Sequence, residues 1–165
     1  MDLIVSAIDE ARWDGSSVRC AVGWGGVARH KREGDGVTPV GAWPMRCLLY
    51  RADRGARPQT QLPTSEIRPE DGWCDDPADP AYNRPVKLPY PGRHERLWRE
   101  DEIYDFIVVL GYNDDPVVPG LGSAIFLHVA RPDFSPTEGC VALARADLER
   151  FLSQAGPGDR VIVQE

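Results

Sequence analysis

Six stretches carry the apolar patterns of β-strands: 3–7, 17–24, 40–50, 104–112, 124–130 and 159–164. From Ser17 to Trp24 the chain alternates, which sets Val18, Cys20, Val22 and Trp24 on one face, as a half-buried strand requires. Ile107-Val108-Val109-Leu110 and Ala124-Ile125-Phe126-Leu127 are unbroken apolar runs between turn formers. They predict strands buried on both faces, although a short helix shares that pattern. The first apolar run, Leu3 to Ile8, closes at Asp9-Glu10, and Asp35-Gly36 with Pro39 makes residues 33–41 a turn or hairpin connection. Only the segment after Cys140 has a helical period. Residues 141–158 place Leu148, Phe151 and Leu152 on one face and stop at Gly156-Pro157, so Cys140 is expected a few residues before a helix, where free amides and the dipole favour an anion.

Residues 51–102 show no sustained period and are rich in proline and charge. Composition alone would suit a disordered linker. Trp73, Tyr82, Tyr90 and Trp98 punctuate the stretch, however, and disordered chain is poor in aromatics. An ordered loop excursion that covers or lines a site is the expectation. The whole chain, 1–165, is then a single domain, mainly β, a sandwich or mixed sheet with one or two short helices and no repeats. Its 15 prolines and 16 glycines agree with many turns.

Charge narrows the function. The formal net charge is −7 and the pI about 5.0, and no basic run is longer than Arg29-His30-Lys31-Arg32. A nucleic-acid partner is not expected without a clustered basic field. No run of about 18 apolar residues is present to span a membrane. The N-terminal stretch lacks the basic region, apolar length and small-residue cleavage site of a secretory signal, so a cytoplasmic location is expected. Cys20, Cys47, Cys74 and Cys140 form no C-x-x-C and no zinc spacing with histidine, and the aspartates of residues 73–83 lack the EF-hand interval. No metal and no cofactor is expected. Cys20 and Cys47 read as core residues.

The candidate chemistry lies in FLHVARPDFSPTEGCVAL, residues 126–143, where His128 stands twelve positions before Cys140. A thiol attacks a carbonyl as its thiolate, and a histidine can take the thiol proton and return it to a leaving amine. Gly139 would let the backbone approach a substrate, and a Gly-Cys turn can present N–H groups to an oxyanion. Twelve residues is too far for contact within one element, but a Pro-bearing turn could fold Cys140 back beside His128. Buried cysteines and structural histidines are common, and on spacing alone both readings stand.

The same segment resembles the active-site signature of the YkuD-type L,D-transpeptidase family, a strand histidine followed by a [Ser/Thr]-His-Gly-Cys turn: His128, Thr137, Gly139 and Cys140 match. Upstream, Thr38, Pro39 and Gly41 match the family's Thr-Pro-x-Gly turn. The resemblance covers roughly residues 15–50 and 103–165. It departs at Glu138, where the family has histidine, at Ala142, where it has arginine, and in a shorter His-to-Cys segment. It implies a YkuD-like sandwich and acyl transfer on peptidoglycan stem peptides. Cys140 would attack the bond between the L-centre of diaminopimelate and D-alanine, with His128 as base oriented by a neighbouring carbonyl. Hydrolysis, an L,D-carboxypeptidase activity on free muropeptides, is the favoured outcome. Cross-linking, a non-catalytic peptidoglycan-binding module and an unrelated cysteine hydrolase are the competing readings.

Such a substrate brings carboxylates, so a cation near the site is expected. Arg131, three residues after His128, is the first candidate, followed by Arg84, Lys87 and Arg93 in the excursion. His94 could reach the site from the same loop. Thr137 and Glu138 flank the nucleophile; Glu138 could steer a substrate amine, though its charge would raise the thiol pKa.

Overall fold

A computed structural model describes all 165 residues. The chain opens with β1 (Leu3–Ser6), β2 (Glu10–Trp13) and β3 (Ser16–Ala21), two consecutive antiparallel pairings. Trp13 pairs with Ser16, so Asp14-Gly15 is a two-residue hairpin loop with positive φ at both positions. That is the geometry a twisted hairpin selects, and Asp-Gly adopts it readily. Two short strands, β4 (Val27–Ala28) and β5 (Thr38–Pro39), lead into the long β6 (Gly41–Tyr50).

The excursion is ordered and carries β7 (Thr64–Glu66), β8 (Asp71–Cys74), β9 (Pro85–Lys87) and β10 (His94–Arg96). β7 extends the main sheet beside β6, and the other three form their own sheet in the order β10-β8-β9. Strands β11 (Phe106–Leu110), β12 (Phe126–Val129) and β13 (Val141–Leu143), helix α1 (Arg145–Leu152) and β14 (Arg160–Gln164) complete the chain. The main sheet runs β11-β12-β13-β3-β2-β1-β14-β6-β7, and β6 also pairs β11. β3 and β6 each divide their length between two neighbour sets, so they cross from one layer to the other and the pairings close into a ring.

The first apolar run is β11, the second enters β12 at Phe126 with Ala124-Ile125 in the loop before it, and both strands are buried on both faces. Period-two alternation explains this, because each face has its own cover. Val108, Leu127, Val141 and Leu143 enter the main core, which α1 closes with Leu148, Phe151 and Leu152. Ile107, Phe126 and Cys140 point the other way, into a smaller cluster with Ile67, Trp73 and Leu97 from the excursion and Tyr104. The excursion is therefore the second layer over the face that carries Cys140.

Of the segment 141–158 that shows the helical period, the helix occupies Arg145–Leu152, so Cys140 stands a few residues before it as expected. Val141–Leu143 is instead β13, parallel to β12, because this strand pairing buries all three residues. Trp24, expected on the buried face of its strand, is 58% exposed, because β3 ends at Ala21.

Candidate active site

Strand register brings Cys140 and His128 together. β12 and β13 are parallel with Leu127 opposite Val141 and His128 opposite Ala142. Cys140 is consequently level with Phe126, two residues from His128 on the neighbouring strand and on the same face. Strand spacing and rise put such a diagonal pair about 8 Å apart at Cα, within reach of two side chains pointing the same way. Both line one cleft of about 830 Å³.

His128 is 5% exposed. Its Nδ1 lies 2.9 Å from the Val129 carbonyl oxygen, which only accepts, so Nδ1 carries the proton and Nε2 keeps the lone pair of a base. The Tyr104 ring packs edge-on against the imidazole at 5.4 Å, and its hydroxyl donates to Glu95 Oε1 at 2.7 Å. Cys140 is 6% exposed; Sγ donates to the Ala124 carbonyl at 3.2 Å and accepts the Phe126 N–H at 3.3 Å. Ala124 has φ +52 and is held there by Asn83, whose Oδ1 accepts the Ala124 N–H at 3.0 Å. Asn83 is buried and also accepts Trp73 Nε1–H, while its amide nitrogen donates to the Tyr112 and Asn113 carbonyls. The excursion thus positions the thiol through one amide.

The turn before Cys140 is tied at both ends. Thr137 Oγ1 donates to the Cys140 carbonyl at 2.7 Å and accepts the Gly139 N–H at 3.1 Å. Thr38 Oγ1 takes the Gly23 N–H at 2.8 Å and also lies 3.4 Å from the Cys140 carbonyl. The upstream Thr-Pro-x-Gly turn therefore braces Cys140 from 102 residues away. Thr38→Val strands a buried N–H, and urea unfolding should show a loss of about 1–3 kcal/mol. The Cys140 N–H itself donates to no acceptor within the chain, as an oxyanion donor must be free to do.

Burial sets the resting protonation. It pushes the Cys140 thiol up to about 12, with the Glu95 carboxylate adding to the rise and the Phe126 N–H opposing it. It pulls the His128 imidazole down to about 4, against the Val129 hydrogen bond, and the charges of Arg99 and Arg131 lower it further. Burial disfavours the charged form of each, so the neutral thiol and neutral imidazole coexist between those two values. Thiolate absorbance of the protein minus that of Cys140→Ala should stay flat from about pH 5 to about pH 9; a thiolate at neutral pH would contradict this.

The cleft lining mixes signs. Lys31, Arg93, Arg99 and Arg131 share it with Glu33, Asp75, Glu95 and Glu138. Burial lifts the Glu95 carboxyl to about 7, against the Tyr104 hydrogen bond. Of the residues singled out in the sequence, Arg131, Thr137, Glu138, Arg93, Gly139, His128 and Cys140 gather here, and Arg131 lies 3.5 Å from Asp101. Glu138 Oε2 accepts the Trp24 indole N–H at 2.9 Å. Arg84, Lys87 and His94 lie elsewhere. Arg84 donates to the Asp114 carbonyl at 2.8 Å, and Lys87 pairs with Asp71. His94 bonds the Gly92 carbonyl at 2.7 Å, and strand alternation sends its neighbour Glu95 to the cleft instead. Lys31, Asn83, Glu95, Arg99 and Tyr104 carried no signal of their own, since three-residue strands and turns are too short to display a period.

A model of the YkuD L,D-transpeptidase catalytic domain matches residues 8–163. The chain belongs to this family. No curated protein matches it. Among solved structures, the helical cell shape determining protein Pgp2 of Campylobacter jejuni aligns over 99% of this chain and 46% of its own, with TM-score 0.50 and 18% identity. L,D-transpeptidase 3 of Mycobacterium tuberculosis aligns over 99% and 60%, with TM-score 0.48 and 16% identity. The chain thus spans less than two thirds of either protein, and the first likeness is one of fold. Membership identifies residues 8–163 as a YkuD-type L,D-transpeptidase catalytic domain.

Proposed function

We propose that the protein is a cysteine L,D-carboxypeptidase acting on peptidoglycan stem tetrapeptides. Cys140 Sγ attacks the carbonyl between the L-centre of diaminopimelate and the terminal D-alanine while His128 Nε2 takes the thiol proton. The tetrahedral oxyanion is held by the Cys140 N–H. The C–N bond breaks, D-alanine leaves with the proton from His128, and a thioester remains. Water, deprotonated by His128, then releases the tripeptide and restores the thiol. The observation that carries this reading is the pairing of Cys140 with a correctly tautomeric His128 on one face of adjacent strands, inside one cleft. A lining of both signs suits a zwitterionic peptide.

The test is mass spectrometry of a disaccharide-tetrapeptide incubated with the protein, beside Cys140→Ala. Loss of one D-alanine only with intact Cys140 supports the carboxypeptidase. A cross-linked dimer makes it a transpeptidase. An unchanged substrate, with Cys140 also inert to a thiol probe, leaves a binding module.

A further inference from the structure

Lys31 is nearly buried, its side chain 3% exposed, yet it lines the cleft. Its stem runs against Gly122, where an added Cβ would lie 2.8 Å from Lys31 Cε. Its ammonium ends beside the nucleophile turn, 3.4 Å from where a Cβ on Gly139 would sit. Two glycines thus shape the slot that delivers this cation to Cys140. An ammonium has three donors. One goes to Asp35 Oδ1 at 2.9 Å, and a second reaches the Arg32 carbonyl only at 3.4 Å. Asp35 is occupied in turn by the Arg32 and Val37 N–H groups, so it holds the lysine in place without saturating it. The remaining capacity has no partner in the chain.

The other cations of the cleft differ in position and engagement. Arg99 is bound through two nitrogens to Asp101, and Arg131 also approaches Asp101. Both act on the imidazole of His128, whereas Lys31 is the cation felt by the Cys140 thiol. Arg93 is paired with Asp75 and well exposed. A buried ammonium with a spare donor is a strong point site for a carboxylate.

We propose that Lys31 is the carboxylate-binding residue of the cleft and takes the free carboxylate of the substrate's last residue, two bonds beyond the scissile nitrogen. The identity of that residue as D-alanine rests on the function proposed above; the anion site beside Cys140 does not. It makes the enzyme selective for a terminal residue over an internal or amidated one.

The test therefore avoids the natural substrate. Cys140 is alkylated with iodoacetate or with its neutral isostere iodoacetamide at low salt, the modified peptide is quantified, and the rate ratio is compared with that of glutathione. The expected ratio is about tenfold or more above glutathione's, from one charge-assisted contact. Lys31→Met should abolish the preference, and Asp35→Asn, which keeps the cation and removes its tether, should retain it. A wild-type ratio equal to glutathione's, or Lys31→Met matching wild type, overturns the proposal. Equal loss in both variants also overturns it, because it marks the ion pair as a loop brace. If the thiol resists both reagents, the Gly139 amide resonance is followed during titration with N-acetyl-D-alanine and with its amide. A shift with the acid alone, absent in Lys31→Met, upholds the site, and equal shifts overturn it. An anion preference without D-alanine release would sink the carboxypeptidase reading and leave this site standing.

Discussion

Cys140→Ala is expected to abolish D-alanine release, and His128→Gln to lower kcat/KM by about 10⁴. With the thiol pushed up to about 12, the thiolate fraction at pH 7 is roughly one in 10⁵, so little reaction proceeds without a base in place. General-base assistance ordinarily contributes about 10²–10⁴, and the buried, neutral pair places this site at the upper end. Glutamine is neutral like the resting imidazole, so it introduces no buried charge and the loss reports the missing base. Steady-state kinetics at pH 7, with a thermal melt to confirm folding, checks both variants. A His128→Gln enzyme within tenfold of wild type would remove the imidazole from the mechanism.

Gly139→Ala should lower kcat/KM by about 10² and stability by about 1–3 kcal/mol, from backbone strain at a displaced nucleophile. Gly139 has φ +135, a conformation side chains rarely take, and an added Cβ would meet the Val37 carbonyl at 2.9 Å. That oxygen belongs to the backbone just before Thr38, so it cannot yield without moving the brace on Cys140. The nucleophile turn must shift instead. Urea denaturation and kinetics measure the two effects. Wild-type values in both would show that the turn is freer than its hydrogen bonds imply.

Much of this was legible one element at a time. The apolar runs of β11 and β12 marked strands covered on both faces, and the period of Leu148, Phe151 and Leu152 marked α1. Strand β2 and its Asp14-Gly15 hairpin were not legible in the apolar pattern, because Asp9-Glu10 reads as the end of a strand and four residues are too few to show a period. Residues 141–143 suit helix and strand equally, and only the pairing with β12 and β3 decided between them.

The sequence by itself determined the chemistry available, a thiol, an imidazole and a glycine turn, because side-chain type is local information. It also determined which faces must be buried, through periodicity. Tertiary structure alone decided that His128 and Cys140 share a face and that Thr38 braces the nucleophile. It likewise decided that Asn83, Glu95 and Lys31 reach the cleft while Arg84 and His94 do not. Those placements depend on strand register and on contacts across tens of residues, where burial over the whole sheet, not any local preference, selects the arrangement.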